Sequence, residues 1–170
     1  MALSENLNSQ HGVMLHYQGK GILIIGEAGI GKSSLALELI HHGASLIADD
    51  VVDFAIEADQ LVAHCPKVLS GLLHSRELGL MDIRKVCGEN SWRASTTADL
   101  CIELKQIYHP EPSVSTPIHY KFILGKALVV LTLSIDNPAS LITRVNSWLA
   151  MQHYHADSQN NQHKMLLWPV

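Results

Sequence analysis

Residues 21–33 read GILIIGEAGIGKS, and this segment is the strongest indication of the fold type. The apolar run GILII predicts a buried strand, and Gly26-x-x-x-x-Gly31-Lys32-Ser33 matches the Walker A pattern in full. Glycines permit the backbone turns that aim N–H groups at phosphate oxygens, and the helix that follows adds its positive N-terminal end. The stretch therefore predicts a nucleotide phosphate site between a strand and a helix.

Each loop residue then has an expected role. We expect Lys32 to reach the β and γ phosphates of a nucleotide, and the Ser33 hydroxyl to bind Mg²⁺. The residues expected to bind the nucleotide cofactor form one unbroken segment: Gly26, Glu27, Ala28, Gly29, Ile30, Gly31, Lys32, Ser33 and Ser34.

Two adjacent aspartates end the next apolar segment, LIADD. A strand that ends in a carboxylate near a phosphate loop commonly holds Mg²⁺, directly or through water. We expect one of Asp49 and Asp50 to bind the metal while the other takes a proton from an attacking hydroxyl. A plainer alternative stays open, in which one aspartate only caps a turn.

The composition predicts an ordered chain of 170 residues that folds as a single domain over residues 1–170, since 47% are hydrophobic and 16% charged. A net charge of −4 without any cluster of Lys and Arg argues against nucleic-acid binding. Three cysteines without a CxxC pair favour a reducing compartment over a disulfide or zinc framework. Because no apolar run resembles a signal peptide or is long enough to cross a bilayer, we expect a cytoplasmic protein without a membrane partner.

Periodicity predicts an α/β order of elements in the first part of the chain. Strands are expected over residues 12–18, 21–25 and 44–48, with a helix from Ser33 to the residue before Gly43. A hairpin is expected to turn at residues 57–59. A strand, helix and strand within this length form a βαβ unit, so the sheet should be at least partly parallel.

The second part of the chain is less regular. The expected elements are a short helix over residues 68–75, a loop that feeds a strand over 76–86, strands over 101–107 and 126–135, and a loop over 109–117. Asn137 is expected to cap a last helix with Pro138 at its first position and Leu141, Val145 and Leu149 on one face. Residues 1–10 and about 157–170 are expected to be flexible or intersubunit tails.

The order of three motifs resembles a known enzyme family. His11-Gly12, then GILIIGEAGIGKSSLALELI, then LIADDVVD are similar to the catalytic domain of HPr kinase/phosphorylase, strongly over residues 11–88 and weakly afterwards. That bacterial enzyme phosphorylates a serine of the phosphocarrier protein HPr and also removes the phosphate by phosphorolysis. The resemblance implies an α/β P-loop kinase domain with a central mixed β-sheet, HPr-kinase/PEP-carboxykinase-like, without the family's amino-terminal domain.

The resemblance also implies roles for individual residues, with ATP and Mg²⁺ as cofactors. His11 matches the family's active-site histidine, Lys32 its phosphate-binding lysine and Ser33 its Mg²⁺-binding hydroxyl. Asp50 matches the carboxylate that acts as base toward the serine and as acid in reverse. Asp49 stands beside it and is a further candidate for catalysis and metal binding.

Two family segments are altered in this chain. The family's E-x-R-G-x-G segment resembles His74-Ser75-Arg76-Glu77-Leu78-Gly79, where histidine replaces a metal-binding glutamate while Arg76 remains. Glu77 either supplies the missing carboxylate or is a surface charge. The P-x-R-P-G-R loop resembles residues 122–126, which keep only one glycine and the cation of Lys126. These changes favour kinase action over phosphorolysis.

The leading expectation is an ATP-dependent serine kinase that acts on HPr or a related small protein. The resemblance implies a homo-oligomer, a hexamer in the family. Two alternatives stay open: a nucleotide-binding regulatory module with degenerate catalysis, and a kinase for a small metabolite.

Overall fold

The computed structural model describes residues 8–111 and 117–152. Its contacts divide the chain into one unit that ends at Asn137 and another that begins at Pro138. The strands of the first unit are β1 (Asn8–His11), β2 (Val13–Tyr17), β3 (Lys20–Gly26), β4 (Ser45–Ala48), β5 (Val51–Glu57), β6 (Gln60–His64), β7 (Leu72–Ser75), β8 (Gly79–Asp82), β9 (Ser95–Thr97), β10 (Leu100–Lys105), β11 (His119–Ile123) and β12 (Lys126–Ser134). Its α-helices are α1 (Lys32–His41) and α2 (Ile83–Cys87).

Six strands form a mixed sheet in the order β11-β12-β10-β3-β2-β4. β10 pairs in parallel with both β3 and β12, and the remaining pairs are antiparallel. β3, α1 and β4 form the predicted βαβ unit, with β2 inserted between the two strands. The α/β class with a central mixed sheet is therefore confirmed.

Four antiparallel strands form a second sheet in the order β1-β5-β6-β9. The predicted hairpin joins β5 to β6, and its two turn residues Ala58 and Asp59 have φ angles of 47° and 63°. Positive φ at both positions matches the twist of paired strands. A shared hydrophobic core joins this sheet to the six-stranded one, with Met14, Leu23, Phe54 and Cys101 among its buried members.

The backbone at Gly21 lies unusually close to the strand β9 and the turn after it. Gly21 donates its N–H to Asp99 Oδ2 at 2.7 Å and accepts from Asp99 N at 2.9 Å. A Cβ at residue 21 would lie 1.7 Å from the carbonyl oxygen of Thr97. Only glycine therefore fits at this contact between β3 and the end of β9.

Between residues 68 and 86, the predicted helix is wrong, whereas the predicted loop and strand are present as the turn at 76–78 and strand β8. The segment predicted as a helix, residues 68–75, instead contains the end of a 3₁₀ turn (Lys67–Leu69) and strand β7, because Gly71 has a φ of +75° and interrupts helical geometry. β7 instead pairs with β8. After β8 the chain forms α2 rather than continuing as a strand, because Asp82 Oδ1 accepts the N–H of Arg84 and caps the helix.

The described part of the second unit, residues 138–152, contains a helix over residues 141–152. The predicted cap at Asn137 is wrong, since the helix begins later and Ser140 caps it. Ser140 Oγ accepts the N–H of Thr143 at 3.4 Å, and its carbonyl accepts the N–H of Arg144 at 3.1 Å. Val145 and Leu149 are buried, as expected of an apolar face.

Three expectations fall wholly or partly outside the described residues. Residues 8–10 of the predicted amino-terminal tail belong to β1, whereas residues 1–7 and the tail at 157–170 are not described. The loop predicted over 109–117 is irregular where it is described, and residues 112–116 are not. Within the described residues, no helix has both the length and the apolar character needed to cross a membrane.

The close approach at Gly21 generates a stability prediction. Gly21→Ala should lower the free energy of unfolding by about 3 kcal/mol, because the new methyl group must displace the Thr97 backbone. Urea unfolding measures the loss. Gly19→Ala is the control, since Gly19 has a φ of +75° but open space around it, and it should cost only about 1 kcal/mol. Equal losses in the two variants would contradict the steric explanation.

Candidate active site

The phosphate loop joins β3, which ends at Gly26, to α1, which begins at Lys32. Gly26, Gly29 and Gly31 have φ angles of 149°, 79° and 109°, which L-residues with a side chain rarely adopt. This backbone path turns the loop across the N-terminal end of α1, where free N–H groups favour an anion. The strand and helix that the Walker A pattern predicts are both present.

The Lys32 side chain folds back over this loop. Its Nζ donates to the carbonyl oxygens of Gly26 and Glu27, both at 2.9 Å. An ammonium group has three N–H donors, so these two bonds leave one for a phosphate oxygen. The lysine charge is thereby held beside the loop.

A hydrogen-bonded chain connects the loop helix, the end of β4 and strand β7. The Ser33 hydroxyl donates to Asp49 Oδ1 at 2.9 Å, and the backbone N–H of His74 donates to Asp49 Oδ2 at 2.8 Å. Both carboxylate oxygens of Asp49 are thus oriented, one of them toward the first turn of α1. We refer to these three residues as the Ser33–Asp49–His74 chain.

Asp49 is a buried carboxylate with only 7% of its surface exposed. Burial raises the pKa of Asp49, although the hydrogen bonds from His74 and Ser33 oppose this shift; the neighbouring charge of Asp50 also raises it. A cation beside Asp49 would offset the unfavourable burial of its charge. The carboxylate and hydroxyl oxygens of Asp49 and Ser33 are donors that suit Mg²⁺.

The protein offers few further metal ligands at this position. No group of three or more His, Cys, Asp or Glu side chains with metal-binding geometry occurs in residues 8–111 and 117–152. A Mg²⁺ ion here would therefore take most of its ligands from phosphate oxygens and water, as Mg²⁺ bound to nucleotides usually does. The donor set fits a metal–nucleotide complex better than a resident metal.

Asp49 and Asp50 point in different directions although they are adjacent. Asp50 has a φ of +69°, and Val51 donates its N–H to the Asp49 carbonyl across a tight turn at 2.9 Å. Such a turn is strained for a residue with a side chain, and strain of this kind is concentrated at functional sites. The turn leaves the Asp49 side chain buried and the Asp50 side chain 80% exposed.

His11 lies against Asp50 from strand β1. Its Nδ1 is 3.2 Å from the Asp50 carbonyl oxygen and 3.6 Å from Asp50 Oδ1, and its side chain is 86% exposed. A carbonyl oxygen only accepts, so Nδ1 carries the hydrogen. The structure therefore brings together four predicted residues: His11 with Asp50, and Ser33 with Asp49.

Arg76 reaches the phosphate loop, and Glu77 has no recorded contact with it. Arg76 follows β7 in the turn to β8, and a Cβ placed on Gly29 would lie 2.6 Å from its Nη2 atom. Glu77 is exposed in the same turn, with no hydrogen bond or ion pair to another described residue. Its predicted role as a metal ligand therefore stays a prediction without a supporting contact.

The structure does not bring Lys126 to the phosphate loop of this chain. Lys126 begins β12 after a tight turn from β11, and its Nζ donates to Asp59 Oδ1 at 2.7 Å. Gly26 is level with the other end of β12, since it pairs with Leu104 and Leu104 pairs with Leu133. Because a strand rises about 3.3 Å per residue, the part of β12 between Lys126 and Leu133 places Lys126 roughly 20 Å from the loop. Lys126 therefore does not contact the loop of its own chain, and its expected role in the site stays a prediction.

One functional contact escaped the sequence reasoning, namely the backbone N–H of His74. The resemblance drew attention to the side chain at this position, which is exposed. Every non-proline residue has a backbone N–H, so no residue type could have signalled this contact. Only the pairing of β7 with β8 and its position beside Asp49 reveal it.

Comparison with known proteins identifies the family. The model of the HPr serine kinase C-terminal domain matches residues 2–166. The chain belongs to the HPr serine kinase C-terminal domain family. The match covers the phosphate loop, the Asp49–Asp50 pair and the altered segment at residues 74–79.

Individual relatives agree with this family. The HPr kinase/phosphorylase of Bordetella avium is 50% identical over 95 residues, which are 55% of this chain and 31% of that protein. That of Cupriavidus necator is 45% identical over 97 residues, 56% of this chain and 30% of that protein. The matched region thus spans less than a third of these relatives.

A solved structure extends the likeness to the whole fold. The Hpr(Ser) kinase/phosphatase from Coxiella burnetii has a TM-score of 0.84 and 26% sequence identity to this chain. The alignment covers 95% of this chain and 99% of that one. The P-loop kinase fold expected from the sequence is therefore confirmed.

The buried carboxylate of Asp49 generates a pH-dependent prediction. The pKa of Asp49 in the folded chain is raised above its ordinary value of 3.8, so the folded chain binds a proton at this carboxyl more tightly than the unfolded chain does. The free energy of unfolding therefore falls as pH rises from 3.8 through the raised pKa. Asp49→Asn removes this charge and should raise the urea midpoint at about pH 7, with the gain vanishing near pH 3 to 4.

A second aspartate provides a control of opposite sign. Lys126 lowers the pKa of the exposed Asp59 carboxyl by a hydrogen bond. Asp59→Asn should therefore lower or leave unchanged the urea midpoint at neutral pH. A loss of stability in Asp49→Asn at neutral pH would contradict the conclusion that burial dominates at Asp49.

Proposed function

We propose that this protein transfers the γ-phosphate of ATP to a serine of HPr or of a related small protein. The observation that carries the proposal is the arrangement of the two aspartates. Asp49 is buried and bonded to the phosphate-loop residue Ser33, whereas the adjacent Asp50 is exposed beside His11. One carboxylate thus lies on the donor side of the reaction and the other is accessible to an acceptor.

The donor side binds and orients the nucleotide. The loop amides and Lys32 hold the phosphates, and Ser33 with Asp49 would hold Mg²⁺. When bound, Mg²⁺ neutralises charge on the β and γ phosphates. The His74 N–H keeps Asp49 in one orientation, so its other oxygen stays directed at Ser33.

The acceptor side supplies a base. Asp50 accepts the proton of the acceptor serine hydroxyl as the serine oxygen forms its bond to the γ-phosphorus. The bond from that phosphorus to the bridging oxygen breaks, and ADP leaves with the electron pair. His11 donates to the Asp50 carbonyl and holds this exposed residue in its strained turn.

The regulatory alternative rests on the segment at residues 74–79. The His74 side chain is exposed, and only its backbone reaches Asp49. An imidazole is a poorer Mg²⁺ ligand than a carboxylate, so metal binding would rest on fewer protein oxygens. A chain that binds ATP but transfers no phosphate would match this alternative.

A labelled-phosphate assay tests the kinase proposal. The purified chain, γ-labelled ATP, Mg²⁺ and HPr should yield labelled HPr, and HPr with the acceptor serine replaced by alanine should stay unlabelled. Label on no protein, with ATP binding intact by calorimetry, would leave the regulatory module. Label on a small molecule in a substrate screen would support the metabolite kinase.

Replacement of the proposed base gives a sharper prediction. Asp50→Asn should lower the transfer rate by about a hundredfold or more, because the amide cannot accept the serine proton. The ATP dissociation constant should stay within about twofold, and Asn tolerates the positive φ of this position. Asp53→Asn, the same change within the next strand, is the control that should keep full activity. Unchanged transfer in Asp50→Asn would exclude Asp50 as the base.

Assembly and location stay predictions. The hexamer follows only from the resemblance to the family, and the cytoplasmic location only from the composition. Size determination of the purified protein in solution would decide the oligomeric state.

A further inference from the structure

Arg76 is a charged residue without a described partner. Within residues 8–111 and 117–152 it takes part in no hydrogen bond or ion pair, and its side chain is exposed. Its guanidinium nevertheless lies directly on Gly29 in the phosphate loop, within 2.6 Å of where a Cβ would stand. An unpaired guanidinium on a phosphate-binding loop is available for an anion.

The backbone fixes which side of the loop Arg76 covers. Two residues before it, the His74 N–H is bonded to Asp49, whose other oxygen is bonded to Ser33. Ser33 and Asp49 are the residues that would hold Mg²⁺, which would neutralise charge on the phosphates at the terminal end of the nucleotide. Two residues of extended chain span only about 7 Å, so Arg76 would lie near that end of a bound triphosphate.

We propose that Arg76 contacts the terminal phosphate of the bound nucleotide and makes the site prefer a nucleoside triphosphate over the diphosphate. The guanidinium reaches the loop over Gly29, which has no side chain to exclude it. ADP lacks the group that Arg76 would contact, so the preference arises from this one charge-assisted contact. This inference rests on the proposed nucleotide site but does not require that the acceptor be a protein.

Calorimetry with ATP and with ADP, each with Mg²⁺, tests the inference. The unmodified protein should bind ATP at least about tenfold more tightly than ADP. Arg76→Gln should weaken ATP binding by about tenfold and change ADP binding by less than about twofold. Arg76→Lys keeps the charge without the planar fork and should lie between the two.

Arg93→Gln is the matched control. Arg93 is also an exposed arginine, and its charge acts on His16, which pairs with Gly21 near the start of β3 and away from the loop. Arg93→Gln removes one positive charge, as Arg76→Gln does. If the effect of Arg76 is local, Arg93→Gln should leave the affinities for ATP and ADP unchanged. Thermal melting of each variant excludes a loss of folding.

Gly29→Ala gives an independent arm. The added methyl group displaces the Arg76 guanidinium and should reduce the preference for ATP over ADP. In the double variant with Arg76→Gln, the loss of preference should be less than the sum of the two single effects. Full additivity would mean that the two residues act separately.

The outcomes separate this inference from the proposed kinase function. Equal weakening of ATP and ADP binding in Arg76→Gln, or no weakening, would overturn the role of Arg76 alone. Selective loss of ATP binding without any phosphate transfer by the unmodified protein would support Arg76 and overturn the kinase. Absence of nucleotide binding in the unmodified protein would overturn both.

Discussion

The hydrogen bond between the Ser33 hydroxyl and the Asp49 carboxylate is the interaction on which the site depends. It joins the first turn of α1 to the end of β4, elements that the βαβ unit brings together across β2. The His74 N–H completes the arrangement by holding the second oxygen of the same carboxylate. Three separate segments are thus held in register by one buried charge, whose pKa is raised by the burial that makes it useful.

The turn at Asp50 explains how two identical neighbours acquire different surroundings. Successive residues of an ordinary strand point to opposite faces. Here Asp49 and Asp50 lie between β4, which ends at Ala48, and β5, which begins at Val51, and the positive φ at Asp50 turns the chain sharply between the two strands. Asp49 is then enclosed, and Asp50 faces outward beside His11. The proposed function needs a fixed metal ligand and an accessible base, and these two adjacent positions have the burial and the exposure that those roles require.

Membership in the HPr serine kinase C-terminal domain family places the altered segment at residues 74–79 in context. The contact that this segment makes with Asp49 uses the backbone of residue 74, so a histidine side chain there leaves it intact. The contact with the phosphate loop depends on the side chain of Arg76, which this chain keeps. The hairpin of β7 and β8 therefore reaches the site through one backbone contact, which does not depend on the residue type, and one side-chain contact, which does.

The phosphate loop, the βαβ unit and the two aspartates are predictable from the amino-acid sequence, because these features depend on local patterns: glycine spacing, apolar periodicity and a carboxylate at a strand end. The sequence also determined the resemblance, through the order of His11, the loop and the Asp49–Asp50 pair. The short apolar run over residues 68–75 predicts a helix where the structure has β7, since such a run has no period that separates helix from strand and Gly71 alone interrupts it. Only the tertiary structure decided which aspartate is buried, that Arg76 covers Gly29 and that Lys126 lies at the far end of the sheet, because strand pairing and burial join residues that are distant in the chain.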